Sequence, residues 1–361
     1  MLDFHRTHTF PFKYSIPNYI SVHLQKVKLY SRALKFLRRY LYLIFLRQKN
    51  LEISRILPTH NKILWINVSA PSLGDSLMDL SSRRLLTGKT IDLYTDEKNS
   101  NLYLNDKYFN KIFSNSNDLS THEYDLVILD SFSSRTIKIK AKVAPKIVFV
   151  GMFGYFNGPE VNRIFYSFHQ MNYLLDYPMT EEEIIDNAQN SLSISRKDQE
   201  IVQNIVPQNY ITISLGGEWQ YKTYQKWSEV LNQLLLDNKN IKIIFVGSNN
   251  ALKLSKELLK SFPEDQLLNF TSILSFNQTA EVIRKSEVFL CCDGGLMHAA
   301  TALDSKIVAL FARLTPEMLL PKNTNLYSLY DQENVNNIRP SKVISKYYEA
   351  INSADNHLQG E

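Results

Sequence analysis

Short apolar runs alternate with segments of helical periodicity over most of the chain. Strand-like runs fall into two series, at 62–68, 90–95, 124–130 and 146–150, and at 210–215, 241–247, 287–292 and 306–311. A loop and then a helix are indicated within 69–86, and helical periodicity marks 226–236, 250–261, a segment around 278–286, 296–303 and 342–352. Bounded apolar runs that alternate with helical segments are typical of βαβ units and parallel sheets. The pattern predicts an α/β protein with two Rossmann-like halves.

These patterns divide the chain into five predicted segments. A length of 361 residues is long for one hydrophobic core and suits two domains. The polar stretch from Asp176 to Asp198 has no strand signal and suits a linker that contains helix. The expected segments are 1–60, 61–175, 176–205 as the linker, 206–335, and 336–361 as a final helix and tail. Two facing doubly wound halves would bind a ligand in a cleft beside the carboxyl ends of their strands.

The first 60 residues hold most of the excess positive charge. They contain 11 Lys and Arg against Asp3 and Glu52, whereas the whole chain contains 41 Lys and Arg against 36 Asp and Glu. The absence of Gly and Pro from Ile20 to Leu57 predicts a basic helical extension. Such a helix could lie on an anionic membrane surface, or it could pack on the protein with its charges in water. Its longest apolar run, 41–46, is far shorter than the roughly 20 residues that span a bilayer.

The composition excludes several classes of protein. Hydrophobic residues make up 44% and charged residues 21%, as in a soluble globular protein. The two cysteines, Cys291 and Cys292, are adjacent, so a disulfide framework is excluded and a reducing compartment fits. No Cys/His cluster has zinc spacing, and there is no Asp-x-Asp pair. We therefore expect neither a metal site nor a cofactor.

Asp75 is the candidate acid–base residue. It follows Gly74 at the start of a predicted helix, beyond the first strand. An acidic residue there can simply complement the positive end of the helix dipole. Alternatively, Asp75 could be a general base that takes a proton from an acceptor hydroxyl.

Two later strand ends have the composition of an anion site. Gly216-Gly217 ends a strand and allows close backbone approach, and Lys222, with Lys226 as a competitor, could neutralise a phosphate. In "VFLCCDGGLMHAATAL" (288–303) an apolar strand stops at an acid and two glycines and continues at once as a helix. Free N–H groups at a helix start bind phosphate when glycine admits the ligand.

Within the second strand end, the individual residues have different candidate roles. Gly294 and Gly295 would give access to the helix start, and Asp293 suits hydrogen bonds from sugar hydroxyls. His298 could face the same site, although a histidine at a helix start can equally be a packed residue.

Together these stretches resemble glycosyltransferase family 9, whose best-known members are the ADP-heptose:lipopolysaccharide heptosyltransferases. Gly74-Asp75 is similar to the N-terminal GD motif of the family, and "KTYQKWSEVL" (222–231) to its Lys-Arg-Trp-Pro segment and following helix. "DGGLMHAATAL" (293–303) is similar to its Asp-Thr-Gly-Leu-x-His-Leu-x-x-Ala-Leu signature, and "KIVALFARLTPE" (306–317) to the strand and loop that follow. The resemblance covers roughly residue 61 to the carboxyl terminus.

The chain also departs from the family pattern. Gly294 stands in place of the usual Thr, and 223–225 replace Arg-Trp-Pro. Ala312-Arg313 occupies a place where Gly-Pro is frequent, and Ser248-Asn249 a region where heptosyltransferases can have an acid near the nucleoside. These differences bear on which donor is bound.

The resemblance implies a fold of GT-B type, with an acceptor-side domain at 61–175 and a nucleotide-sugar-binding domain at 206–335. It implies inverting, metal-independent transfer of a sugar, heptose from ADP-heptose, to a lipopolysaccharide or lipooligosaccharide core. Asp75 would be the catalytic base. The implied donor and diphosphate residues are Gly216, Gly217, Lys222, Asp293, Gly294, Gly295, Leu296 and His298, and the nucleoside region is Gly247, Ser248 and Asn249.

The implied partners are a nucleotide sugar, a lipid-linked core acceptor and, through 20–57, an anionic membrane surface, with no nucleic acid. A bacterial cytoplasmic protein, peripheral on the cytoplasmic face of the inner membrane, fits this set. The alternatives are a family member with another nucleotide sugar, a nucleotide-sugar epimerase, and a non-catalytic binding or scaffold protein. Retention of Asp75, Lys222, Asp293 and His298 argues against the last.

Overall fold

A computed structural model of the chain describes residues 29–119, 123–155, 162–322 and 324–353. The chain divides into two compact units, Met1–Ser193 (unit 1) and Ile194–Glu361 (unit 2). The division falls within the segment 176–205. Residues 1–28 of the predicted extension and 354–361 of the predicted tail lie outside the described residues.

Unit 1 is built around a parallel five-stranded sheet. Its strands are β1 (Lys62–Asn67), β2 (Thr90–Thr95), β3 (Lys111–Phe113), β4 (Leu126–Leu129) and β5 (Phe149–Gly151). Their order is β3-β2-β1-β4-β5, and Ile63 of β1 is in register with Ile91 on one side and Leu126 on the other. All of β4, and all of β1 after Lys62, is buried. A parallel sheet buried on both faces explains why these strands are continuous apolar runs.

Helices flank this sheet. The described helices of unit 1 are α1 (Leu29–Phe45), α2 (Leu73–Asp79), α3 (Glu97–Tyr103), α4 (Ser134–Val143), α5 (Arg163–Leu175) and α6 (Glu181–Asn187). Leu43 of α1 is fully buried in the same hydrophobic cluster as Leu64 of β1 and Phe149 of β5. The helical extension is therefore part of the core of unit 1 over its second half.

Unit 2 repeats this architecture with six parallel strands. They are β6 (Tyr210–Ser214), β7 (Lys242–Val246), β8 (Leu267–Asn269), β9 (Phe289–Cys292), β10 (Ile307–Ala312) and β11 (Leu326–Asp331), in the order β11-β10-β9-β6-β7-β8. The described helices of this unit are α7 (Arg196–Ile205), α8 (Trp227–Asp237), α9 (Leu252–Ser261), α10 (Phe276–Lys285), α11 (Gly295–Ala302) and α12 (Pro340–Asn352). This strand order is that of a doubly wound dinucleotide-binding fold.

The fold confirms the predicted α/β class with two parallel sheets. Strand β2 has the predicted bounds, whereas the strand predicted at 146–150 is only Phe149–Gly151. Strands β3, β8 and β11 were not predicted; the first two have three residues each, and β11 has no fully buried residue. Short or half-buried strands give a weak apolar signal.

The prediction of helix as far as Leu57 is wrong, because α1 ends at Phe45. Arg47 adopts a left-handed φ of 56°, and the Gln48 N–H donates to the Leu43 carbonyl over 2.8 Å, which closes the helix end. Beyond this end, Glu52 forms a parallel bridge with Phe149 of β5. Pairing with the sheet thus replaces continued helix. In the part of the chain that the structure describes, no helix combines the length and apolar character needed to cross a membrane.

Candidate functional site

Asp75 lies in the first turn of α2, at the carboxyl edge of the sheet of unit 1. Ser72 is the N-cap residue: its hydroxyl accepts the Asp75 N–H over 3.2 Å and donates to the Asp75 carboxylate over 2.6 Å. The Asp75 side chain is 22% exposed. Asp75 thus takes part in the cap, as the structural interpretation expects, and still presents a carboxylate to solvent.

Arg163, the first residue of α5, links Asp75 to a second carboxylate. It donates from Nε and Nη2 to both oxygens of the buried Asp79, each over 2.6 Å, and its Nη1 lies 3.7 Å from Asp75. Burial raises the pKa of the Asp79 carboxyl, and the charge of Arg163 opposes that rise. One guanidinium therefore compensates two acids, and its fixed fork limits where Asp75 can point.

Asp130 fixes the backbone that leads from β1 toward α2. This buried residue follows β4, and one of its oxygens accepts the N–H groups of Val68 over 2.7 Å and Ser69 over 2.6 Å. The Thr136 hydroxyl donates to its other oxygen over 3.0 Å. Burial raises the pKa of Asp130, and the backbone N–H groups oppose that rise. Sequence reasoning missed this residue; the only local signal was an acid at the end of a central strand.

In unit 2, Lys222 and Asp293 form an ion pair in which the lysine ammonium donates to Asp293 Oδ2. Lys222 ends a short 3-10 turn, Gln220–Lys222, between β6 and α8, and Asp293 follows β9. Their side chains are 17% and 5% exposed. The structure therefore brings together two of the predicted donor residues at one edge of the sheet.

The start of α11 has the features of an anion site. Gly294 is its N-cap residue and provides no side-chain cap. The first N–H groups of an α-helix, here those of Gly295 and Leu296, have no acceptor within the helix, and the dipole makes this end positive. A Cβ at Gly294 would meet only the Cys292 carbonyl, at 3.9 Å. Space is therefore open beside Gly294.

His298 is buried, with 4% of its surface exposed. It lies inside α11, one turn beyond Gly294. This burial agrees with the interpretation of His298 as a packed residue and does not by itself assign it a ligand.

Gly216 and Gly217 are required by the packing of neighbouring loops. A Cβ on Gly216 would lie 2.3 Å from Oδ1 of Asn250, and one on Gly217 would lie 2.6 Å from the carbonyl oxygen of Lys222. The close approach expected here is thus made by the protein itself. Asn250, which sequence reasoning missed, donates to the Gly217 carbonyl over 2.9 Å.

The predicted nucleoside region lies in the loop after β7. Gly247 has a φ of 141°, which side chains rarely adopt, and its carbonyl accepts the Ser272 N–H over 2.8 Å. The Ser248 hydroxyl donates to Asn250 over 2.9 Å, and Asn249 accepts from the Ser272 hydroxyl. Through Asn250 this loop is joined to the Gly216-Gly217 turn, so both loops border one edge of the sheet.

Arg313 is a further cation at the same edge. It follows β10 with a left-handed φ of 68°, and its guanidinium lies 3.8 Å from the ring centroid of Tyr221. The ammonium of Lys222 lies 5.8 Å from the same centroid. Tyr221 thus contacts two cations. In the sequence, Arg313 stood out only because Ala312-Arg313 occupies a place where Gly-Pro is frequent.

The described residues hold no group of three or more His, Cys, Asp or Glu side chains arranged to bind a metal ion. Asp75 lies in unit 1, and all other predicted site residues lie in unit 2.

A model of the family "Glycosyltransferase family 9 (heptosyltransferase)" matches residues 155–347, more than half of the chain. A glycosyl transferase family 9 structure from Veillonella parvula matches with a TM-score of 0.68 and 14% identity, over 83% of this chain and 99% of that one. The E. coli ADP-heptose lps heptosyltransferase II matches with a TM-score of 0.65 and 19% identity, over 81% and 99%. E. coli heptosyltransferase WaaC with ADP matches with a TM-score of 0.59 and 15% identity, over 80% of this chain and 99% of that one. The TM-scores of these matches establish a shared fold.

No curated protein sequence matches the chain significantly.

Proposed function

The chain belongs to glycosyltransferase family 9 and is a glycosyltransferase of the heptosyltransferase family, and from that premise we propose its reaction. It transfers heptose from ADP-heptose to a lipopolysaccharide or lipooligosaccharide core acceptor. The observation that most directly supports a diphosphate donor is the Lys222–Asp293 pair beside a helix start without a side-chain cap. Similar folds were determined with ADP and with ADP-2-deoxy-2-fluoro heptose, which supports ADP-heptose as the donor.

Lys222 and the start of α11 bind the donor diphosphate. An ammonium has three N–H donors, so one can remain on Asp293 while the others reach phosphate oxygens. The amides of Gly295 and Leu296 supply further donors, and the dipole favours the anion. The open space beside Gly294 admits the ligand.

Asp75 is the catalytic base in this proposal. The acceptor hydroxyl transfers its proton to the Asp75 carboxylate while its oxygen attacks the anomeric carbon. The bond from that carbon to the diphosphate breaks on the opposite face, so the configuration inverts. The leaving ADP takes the electron pair, and its developing charge is stabilised by Lys222 and the α11 amides rather than by a metal.

The protein environment suits Asp75 to that role. Its carboxylate accepts a hydrogen bond from the Ser72 hydroxyl and lies 3.7 Å from the Arg163 guanidinium, so two neighbours hold it in place. Its partial exposure leaves it accessible to a hydroxyl. Asp130, which orders Val68 and Ser69, acts as a positioning residue for the same loop.

The remaining predicted residues have secondary roles. Asp293, beyond orienting Lys222, accepts hydrogen bonds from sugar hydroxyls, and Gly247, Ser248 and Asn249 border the nucleoside. His298 supports the helix start from within the core. Segment 61–175 is the acceptor side and segment 206–335 the donor side.

A second candidate is transfer from a different nucleotide sugar. Two differences at the donor edge favour this candidate. Gly294 lacks the hydroxyl of the Thr that is usual in the family, and Arg313 adds a cation where Gly-Pro is frequent. An extra cation near the donor suits a more anionic sugar nucleotide.

Thermal unfolding with ADP, UDP, GDP, CMP and their sugar conjugates tests the donor. A ligand at about 100 times its dissociation constant stabilises the native state by roughly 2.7 kcal/mol. We expect selective stabilisation by ADP and ADP-heptose, followed by heptose transfer to a truncated core acceptor. Stabilisation by UDP or GDP conjugates alone would identify another sugar. If no nucleotide stabilised the protein, a non-catalytic binding protein would be favoured. If the protein converted the donor sugar in the absence of an acceptor, an epimerase would be favoured.

A further inference from the structure

Helix α1 has two apolar faces, and within the part of the chain that the structure describes only one of them is packed. Leu43 is fully buried and the Phe36 ring lies 4.4 Å from that of Tyr155, so this face belongs to the core of unit 1. The other face presents Tyr30, Leu34, Leu37, Leu41, Ile44 and Phe45, here called the α1 stripe. Their spacing of three and four residues places them on one side of the helix.

The exposure of the α1 stripe is large for apolar side chains. Leu37 and Leu41 are 50% and 54% exposed, Tyr30 75% and Phe45 81%. Isolated exposed apolar residues are common on protein surfaces, but a contiguous stripe marks an interaction site.

The charged residues of α1 and of its neighbour α4 are of one sign. The segment 29–48 contains five Lys and Arg and no Asp or Glu. Arg38 and Arg47 are exposed, and Lys138 of the neighbouring α4 is exposed with its ammonium 5.7 Å from the Tyr42 ring of α1. Helix α4 likewise has no acidic residue. The apolar stripe is therefore bordered by cations.

We infer that the α1 stripe docks on an anionic phospholipid surface. The helix lies in the plane of the interface, with Leu34, Leu37, Leu41 and Ile44 at the boundary between headgroups and acyl chains. Arg38, Arg47 and Lys138 contact the phosphates. With 17 residues, α1 is about 26 Å long, enough for an extended line of contact.

Charge favours lipid over a second copy of the chain. In a symmetric dimer the same patch would meet itself, so Arg38 and its neighbours would face like charges with no acidic partner on α1. An anionic bilayer complements both the stripe and its border.

The inference deepens the proposed function, because a membrane-docked enzyme would meet a lipid-linked core at the bilayer. The membrane inference and the proposed sugar transfer can fail separately, because vesicle binding needs no donor and stabilisation by ADP needs no membrane.

The test is flotation of the full chain with phosphatidylcholine vesicles and with vesicles that also contain phosphatidylglycerol. We expect binding to the anionic vesicles, weakened by salt. The triple variant Leu37→Ser/Leu41→Ser/Ile44→Ser should lose at least about tenfold in partitioning, because its apolar contact is removed. Arg38→Gln/Lys138→Gln should lose about fivefold per charge on anionic vesicles.

Matched controls separate docking from general loss of hydrophobicity. Leu104→Ser/Leu236→Ser changes two leucines that are 62% and 72% exposed elsewhere and should bind as the parent does. Phe45→Trp should show a blue-shifted emission on anionic vesicles only. Every variant should keep the parental unfolding temperature and its stabilisation by ADP.

Three results would overturn the inference. The first is absence of parental binding to anionic vesicles. The second is equal binding by the triple serine variant. The third is a parental dimer, seen by light scattering, that the triple serine variant converts to monomer without any vesicle binding; that result would assign the stripe to a second copy.

Discussion

Lys222 and Asp293, 71 positions apart in sequence, form an ion pair at the carboxyl edge of the sheet of unit 2. Asp293 is nearly buried, and a buried carboxylate needs a partner because desolvation penalises its charge. The pair therefore holds the lysine ammonium against the loop that opens α11. An acid at this position, which by charge alone would repel a diphosphate, instead orients the cation that we propose to bind one.

Lys222→Met/Asp293→Asn should abolish most donor binding while leaving the fold intact. Both charges of the pair are removed together, so neither is left buried and unpaired. The loss of a charged hydrogen bond, about 1.5–3 kcal/mol, predicts roughly 10- to 100-fold weaker ADP binding. Isothermal titration calorimetry measures it.

Lys226→Ala is the matched control for that change. Lys226 is the N-cap residue of α8, four positions beyond Lys222, whereas the ion pair with Asp293 is made by Lys222. Its ADP affinity should equal that of the parent. Weaker binding by Lys226→Ala than by the double variant would reassign the phosphate contact to Lys226.

Asp75→Asn should lower kcat for sugar transfer by about 10²- to 10⁴-fold, the usual range for a general base. The amide can still accept from Ser72, so the start of α2 should remain capped and stabilisation by ADP unchanged. Steady-state transfer kinetics with saturating donor give the value. Near-parental turnover would remove Asp75 from the reaction.

Ser72→Ala provides a graded comparison for Asp75. It removes the hydroxyl that donates to the Asp75 carboxylate and accepts the Asp75 N–H, so the carboxylate loses a contact that orients it. Maximal kcat should fall, but by less than in Asp75→Asn, because the carboxylate itself is still present. A kcat equal to that of the parent would show that the hydroxyl only caps the helix.

The strands could be placed from sequence because burial on both faces leaves an unbroken apolar run, as in β4 and β10. The edge strands β3 and β8 could not, because three residues are too few to distinguish a strand from a loop. The start of α11 was recognisable for a different reason. There Asp293, Gly294 and Gly295 interrupt an apolar pattern, and the packing of a helix on a sheet does not require these residue types.

The partners of the site residues were beyond local reasoning. Arg163 reaches Asp79 across 84 positions, and Asp130 reaches Val68 across 62. Nothing near either residue in sequence specifies such contacts, which follow from the packing of α5 and from the adjacency of β4 and β1. The role of Gly216 also depends on atoms distant in sequence, those of Asn250 and Ala251.

Gly217→Ala should destabilise the protein, whereas Gly294→Ala should not. The new Cβ at residue 217 would lie 2.6 Å from the backbone oxygen of Lys222, so that turn must shift. Overpacking costs about 1–3 kcal/mol, and the displaced Lys222 should also weaken ADP binding. At residue 294 the nearest atom is 3.9 Å away, so the free energy of unfolding should change little. Urea unfolding measures the free energy of unfolding of both variants. Equal losses of stability would contradict the difference in packing around the two glycines.

His169 should make the stability of unit 1 fall in mild acid. Burial within α5 lowers the pKa of His169 to about 4, whereas the unfolded chain takes up this proton near its ordinary value of 6.5. Between those values the unfolded state binds more protons, so the free energy of unfolding falls as the pH falls. The difference is about 2 kcal/mol between pH 7 and pH 5. Urea unfolding of parent and His169→Gln at both pH values measures it, and an equal acid sensitivity of the two would exclude His169 as the cause.

Arg313→Gly should weaken donor binding without destabilising the protein. Arginine is strained at the left-handed φ of 68°, and glycine adopts it freely, so the backbone after β10 should be retained. The lost guanidinium, which lies 3.8 Å from the Tyr221 ring centroid beside Lys222, should reduce affinity for the sugar nucleotide about threefold to tenfold. The loss should shrink as salt screens the charge. Arg339→Ala, which removes an exposed cation at the start of α12, is the control and should bind donor as the parent does. Calorimetric titration at low and high salt decides the matter: equal affinities for parent and Arg313→Gly would limit Arg313 to packing on Tyr221.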